Sequence, residues 1–162
     1  MTDQLSASDR THLDRAIELS RAGMRAREGG PFGAVVVLDG RVVGEGWNRV
    51  TSTADPTAHA EVVAIRDACQ RVSSFSLVGA TVYASCEPCP MCWSAIHWAR
   101  CDRVVFANRA DEAAAIDFDD AVLVDELRRP VDQRSVAAVH APSADARAVF
   151  DEWAADSDAV RY

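Results

Sequence analysis

Two short segments about thirty residues apart restrict how this chain can fold: His59-Ala60-Glu61, and Ser85-Cys86-Glu87-Pro88-Cys89-Pro90-Met91-Cys92. The second offers thiolates at metal-ligand spacing, the first an imidazole and a carboxylate. A catalytic zinc keeps three protein ligands and leaves its fourth position to water. His59, Cys89 and Cys92 supply such a set. Cys89 and Cys92 lie three apart at the predicted start of a helix, where both side chains can point one way and the helix dipole favours thiolates. His59 and Glu61 set a stricter condition, because residues two apart in a regular helix diverge. They reach a common point only from a first helical turn. The fold must therefore bring two helix starts together, which open α/β sheets do at the ends of neighbouring strands. Glu61, not itself a ligand, is then left to move protons.

The rest of the chain reads as elements that can build such a frame. Ser8 and Asp9 read as an N-cap and a first-turn acid, and Leu13, Ala16, Ile17, Ser20 and Met24 follow at helical spacing toward Gly29-Gly30. Two β-rich runs, Ala34 to Leu38 and Arg41 to Glu45, flank Asp39-Gly40, a strong hairpin signal. Gly46 to Thr57 reads as loop, His59 to about Arg71 as helix, Thr81 to Ser85 as strand, Cys89 to Arg100 as helix and Arg103 to Ala107 as strand. Beyond these, 110–115, 121–128 and 145–155 read as helical and 135–140 as a fifth strand, with no packing pattern after Asp156. The expected architecture is a single α/β domain over 1–162, a three-layer α/β/α arrangement around a five-stranded mixed sheet.

Composition excludes several classes. At 162 residues one core suffices, and no apolar run approaches the roughly 18 residues that a membrane span needs. The start Met1-Thr2-Asp3-Gln4-Leu5-Ser6 lacks the basic and apolar regions of a secretory signal, so a cytoplasmic location is expected. Five cysteines are an odd number, and two lie three apart behind a proline, which in a reducing compartment suggests metal rather than disulfides. The formal net charge is −8 and there is no lysine, which argues against a nucleic-acid partner and for a small-molecule substrate. A closed structural zinc with Cys86 as fourth ligand is the alternative use of the thiols, but it leaves Glu61 without a role.

His59-Ala60-Glu61 followed by Pro88-Cys89-Pro90-Met91-Cys92 forms the H-x-E and P-C-x-x-C signature of zinc deaminases. With Gly30-Pro31-Phe32-Gly33-Ala34-Val35, Trp98-Ala99-Arg100, Phe118-Asp119-Asp120 and Tyr162, it makes the chain resemble the nucleobase and nucleoside deaminases of the cytidine deaminase-like superfamily. Among these it looks most like the guanine deaminase branch. The resemblance implies a cytidine deaminase-like fold, one Zn²⁺ per subunit held by His59, Cys89 and Cys92, and hydrolysis of a purine C2 amine with Glu61 as proton shuttle. It implies that Asp120 assists near the leaving amine, and that Phe32, Asn48, Ala60, Trp98 and Tyr162 bind the base. It further implies a homodimer whose C-terminal tail, about 141–162, can be exchanged between subunits. The alternatives are a guanosine deaminase or another aminated purine or triazine hydrolase, then a tRNA adenosine deaminase or a zinc-stabilised binding module.

Other residues carry plainer expectations. His12 should be exposed, His140 should end an edge strand, and His97 should pack near the metal helix. Cys69 and Cys101 should be small buried residues, and Trp93 should face the pocket or a dimer surface. Ile116-Asp117 departs from the small residue and glycine common before Phe118 in similar enzymes, which affects substrate recognition at that end of the pocket.

Overall fold

The computed structural model describes residues 5–162. Its contacts divide the chain after Val124 into two units, Met1–Val124 and Asp125–Tyr162. In the first, the elements follow the order α1 (Ala7–Arg25), β1 (Gly33–Leu38), β2 (Arg41–Trp47), α2 (Val50–Thr53), α3 (Ala60–Val72), β3 (Thr81–Cys86), α4 (Pro90–Trp98), β4 (Arg103–Asn108) and α5 (Ala110–Ala114), with α6 (Ala121–Arg128) crossing the division.

The sheet has the order β2-β1-β3-β4. Strand β1 runs antiparallel to β2 and β3, and β3 runs parallel to β4, so the sheet is mixed as expected. The hairpin turns at Asp39 and Gly40, both at positive φ (50° and 73°), which the Asp-Gly pair accommodates at low cost. Among the described residues four strands form rather than five. Residues 135–140 lie in the second unit without strand structure, and Val136 and Val139 are 80% and 91% exposed. Alternation of small apolar residues there meets no neighbouring strand to pair with.

Strand β1 is apolar throughout because both its faces are covered. Val35 and Val37 join Ala16 and Leu19 of α1 with Tyr83 and Val105 in one cluster. Ala34 and Val36 join Ala60, Ala64 and Ala68 of α3, Val82, Leu77, and Ile96 and Ala99 beside α4 in the other. This is the three-layer α/β/α arrangement. The alanine stripe of α3 sits directly against β2: a Cβ on Gly44 would meet the Ala64 carbonyl, and one on Gly46 the Ala60 carbonyl.

Helix α1 begins two residues earlier than expected, with Ser6 rather than Ser8 as its N-cap. Ser6 Oγ accepts from the Asp9 amide at 3.0 Å, and Asp9 Oδ2 accepts from the Ser6 amide at 2.9 Å, a capping box. Asp9 is also buried and tied across the layers, accepting from Tyr83 Oη at 2.8 Å and from Arg103 at 2.6 Å. His12 stacks obliquely on Tyr83 at 5.2 Å and is half-buried, not exposed.

The second unit contains the end of α6, a 3₁₀ turn at Val131–Gln133 and α7 (Ala144–Ala155). Glu126 accepts from the Ser135 amide and hydroxyl, and Arg161 donates to the Trp153 and Ala154 carbonyls and lies over the Trp153 ring at 5.3 Å. Its apolar side chains remain open, with Val149, Phe150 and Val160 all more than half exposed. His140 is exposed in coil and ends no strand.

Candidate metal centre and catalytic cavity

The C-terminal ends of β2, β3 and β4 share one edge of the sheet, and two helices start beside it. His59 is the N-cap of α3 and Cys89 that of α4, both with extended backbone (φ −69° and −68°), and Pro90 fixes the first turn of α4. The loop before His59 is shaped by Asp55, whose Oδ1 accepts from the Thr57 amide at 2.8 Å and hydroxyl at 2.6 Å. The first-turn condition on His59 and Glu61 is therefore met by an N-cap and the second helical residue.

His59 Nδ1 lies 3.6 Å from Cys89 Sγ and 3.6 Å from Cys92 Sγ, and the three donor atoms all fall within 4.8 Å of one another. A tetrahedral zinc with Zn–S near 2.3 Å and Zn–N near 2.05 Å requires an N···S edge of about 3.6 Å. The donor set therefore fits Zn²⁺ in chemistry and spacing. The Cys89 thiol is lowered to about 4 by the hydrogen bond from Cys92 and then by His59, while Cys92 is pushed up by the same contact and by burial. Both thiols bind a metal as thiolates, so metal binding releases protons from the pair. His59 is raised, chiefly by its contact with Cys89.

Glu61 is 7% exposed with Oε2 3.4 Å from Cys92 Sγ, and desolvation by burial raises its pKa. Cys86 stands apart from the triad, its thiol donating to the Arg109 carbonyl at 3.7 Å and pushed up to about 11 by burial. Its thiol is turned to that carbonyl and lies outside the three-donor cluster.

These groups open onto a cavity of about 450 Å³ whose wall includes Phe32, Asn48, His59, Glu61, Cys89 and Asp120. Asn48 is buried, and its Oδ1 accepts from the Gly30 and Val50 amides, both at 3.2 Å. With that oxygen committed to two donors, Nδ2 is the end of the side chain left to serve a ligand in the cavity that Asn48 lines. Phe32 meets Phe118 edge-on at 4.8 Å, forming an aromatic wall. Burial, then the charge of Cys89, raises the pKa of Asp120.

Not every expected residue meets here. Ala60 is buried in the first turn of α3, inside the core cluster and off the cavity wall. Trp98 ends α4, is 67% exposed and does not line this cavity. Nine residues of helix separate it from Cys89, a rise of about 13 Å. Tyr162 is 70% exposed and belongs to the second unit. His97 is exposed, 6.4 Å from the half-buried Trp93 ring, rather than packed. Cys69 and Cys101 are half-buried against the core. Phe118 and Glu87 line the cavity without having been assigned a role from the sequence; the signal for Phe118 was its place in Phe118-Asp119-Asp120, of which only the last residue stood out.

Residues 6–108 match the family described as the cytidine and deoxycytidylate deaminase zinc-binding region. The chain belongs to this family of zinc-dependent deaminases. Within it, the chain is 43% identical to the guanine deaminase of Bacillus subtilis (strain 168) over 143 residues, 88% of this chain and 92% of that one. The X-ray structure of guanine deaminase from Bacillus subtilis superposes with a TM-score of 0.92 at 40% identity, over 98% of this chain and 99% of the other. The tRNA-specific adenosine deaminase of Agrobacterium fabrum is 37% identical over 110 residues, 68% of this chain and 72% of its own.

Proposed function

We propose that this protein is a guanine deaminase that hydrolyses the C2 amine of guanine to give xanthine and ammonia. The observation that carries the reading is likeness to the Bacillus subtilis enzyme along nearly the whole of both chains, joined to a His59-Cys89-Cys92 triangle whose two N···S edges fit zinc. Zinc, when bound there, lowers the pKa of a coordinated water toward neutrality.

Glu61 is placed to take a proton from the attacking water and deliver it to the ring nitrogen as the water oxygen bonds to C2. The same carboxyl, carrying the second proton of the water, protonates the amine as the C2–N bond breaks, so ammonia leaves and the carbonyl remains. Burial suits Glu61 to holding a proton between these steps. Asn48 donates through Nδ2 to an acceptor on the purine, and Phe32 with Phe118 supports the ring face. Asp120, raised by burial, steadies the leaving amine. Ala60 acts through the first turn of α3.

The protein acts as a homodimer in the cytoplasm, and the tail is exchanged so that Tyr162 of one subunit covers the cavity of the other. Support for exchange comes from the apolar side chains of the second unit, which are open in the single chain. Trp98, exposed at the end of α4, would reach an aromatic role through the same dimer.

The test is ammonia release from guanine, guanosine, adenine, cytosine and cytidine by the zinc-loaded protein. Guanine should be consumed in preference to the others. Consumption of guanosine with guanine left intact would overturn the reading.

A further inference from the structure

The cavity wall has a charge pattern that the reaction itself does not require. Five carboxyls line it, Glu61 from α3, Glu87 from the β3–α4 connection, and Asp117, Asp119 and Asp120 from the segment before α6. Of the 17 arginines in the chain none is on that wall, and among the described residues His59 is its one basic side chain. Bound zinc does not offset the carboxyls, because its two charges are met by the Cys89 and Cys92 thiolates. Glu87, Asp117 and Asp119 hold no place in the proton transfers. Glu87 Oε2 accepts from the Ala110 amide at 3.2 Å and Asp119 Oδ1 from the Ala121 amide at 2.9 Å, which fixes both charges in place. Asp117 also lines the cavity and is exposed, at φ 69° in the left-handed region that aspartate enters readily.

Substrate and product differ in charge. Guanine is neutral across the physiological range, whereas replacing its C2 amine by oxygen leaves ring N–H groups beside two carbonyls, and the product loses a proton near neutral pH. A cleft lined by one sign of charge shifts the local concentration of an ion severalfold or more. We propose that Glu87, Asp117 and Asp119 form a charge filter that admits the neutral amino-purine and drives out the anionic oxo product, with Asp117 and Asp119 as its solvent-exposed members. The inference rests on the guanine reading for the identity of the product. The filter also disfavours phosphorylated forms of the base, since a phosphate would enter against the same carboxyls.

The experiment is calorimetric binding of xanthine to the zinc-loaded enzyme, with hypoxanthine as a base-sized control that keeps its proton to higher pH. The ratio of the two dissociation constants cancels titrations of the protein that affect both ligands. In the wild type that ratio should rise about fivefold between about pH 6 and about pH 8.5, and the rise should shrink in high salt, which screens the rim. In the D117N/D119N double variant the rise should be about twofold or less. Asparagine tolerates the left-handed backbone at 117 and retains the side-chain cap at 119, so both positions keep their shape. Equal rises in both proteins, a flat ratio in the wild type, or no binding of either purine overturns the filter. Absence of ammonia release from guanine in the same preparation overturns the substrate reading instead, and the binding ratio is measured regardless.

Discussion

Glu61 occupies the first turn of α3 with its carboxyl in contact with Cys92, and burial holds its proton more tightly than an ordinary glutamate's. Glu61→Gln keeps the volume and loses the base. The variant should bind one zinc per chain, measured by metal analysis, while ammonia release falls by about 10²- to 10⁴-fold. Activity within tenfold of wild type would remove Glu61 from the proton path. Asn48 allows a finer dissection, because its two ends do different work. Asn48→Ala strips the acceptor from the Gly30 and Val50 amides as well as the cavity donor, and should cost about 1–3 kcal/mol of stability together with a raised KM. Asn48→Asp retains the acceptor and reverses the cavity end, so KM should rise with the urea midpoint nearly unchanged. Equal KM values in Asn48→Asp and wild type would confine Asn48 to shaping the loop. The sequence pointed to both residues, but it could not divide the labour of Asn48: an asparagine beside a turn is a backbone cap as a rule, and only the commitment of Oδ1 to two amides shows that the nitrogen is left for a ligand.

At the scale of elements, the two-residue separation of His59 and Glu61 works because α3 starts where β2 ends and lies close upon it. Gly46 permits that approach, since a Cβ there would meet the Ala60 carbonyl. Gly46→Ala should cost about 1–3 kcal/mol and, by displacing the first turn that carries His59 and Glu61, weaken zinc binding by about tenfold in a chelator competition. Gly44→Ala strikes α3 a turn further along, at Ala64, and should destabilise comparably with less loss of metal. Equal metal loss in the two variants would argue against local control of the first turn. A second device ties α1 to β3 and β4 through Asp9. Its carboxyl is held below the usual range, first by Arg103 and then by Tyr83, while Tyr83 is raised to about 12 by burial and by Asp9. A depressed carboxyl stabilises the fold above its unfolded pKa of 3.8 and loses that contribution as pH falls below it; a raised phenol stabilises below its unfolded value of 10.0 and loses it as pH rises toward 12. Thermal midpoints should accordingly fall below about pH 4 and above about pH 10, and Asp9→Asn should flatten the acid side of that window. An unchanged acid limb in the variant would place the sensitivity elsewhere. The hairpin and the helices bearing the ligands were legible from period and turn chemistry, with boundaries within a residue or two. The Asp9 network was not, because Tyr83 and Arg103 lie 74 and 94 residues away along the chain and no local pattern joins them. Ser8 drew attention as the cap for the same reason: the box between Ser6 and Asp9 is revealed by side-chain geometry, whereas both serines satisfy the composition rule.

For the whole molecule, the weakest part of the sequence reading is the end of the chain, and the physical cause is the same in each instance. Val136 and Val139 carry a strand-like alternation but stay exposed, α7 leaves Val149 and Phe150 open, and Tyr162 ends the chain 70% exposed. Residues 135–140 form no strand, and under the exchange proposed above the apolar pattern of this segment and the role of Tyr162 would be satisfied on a second copy of the chain. Exchange of the tail makes a specific prediction. Deletion from Asp156 onward should impair turnover with little loss of zinc, because the triad lies wholly in the first unit. Mixing that truncated protein with Glu61→Gln protein under conditions that allow subunits to re-partner should restore activity. In a mixed dimer the truncated subunit supplies an intact Glu61 and receives the full-length tail of its partner, which assembles one working cavity from two inactive proteins. Random re-partnering places about half of all dimers in the mixed form, each with one working site of two, so recovery should approach about a quarter of wild-type activity per site. If each tail instead covers the cavity of its own subunit, the mixture stays as inactive as its components, and size-exclusion profiles showing that mixed dimers had formed would make that result decisive against exchange.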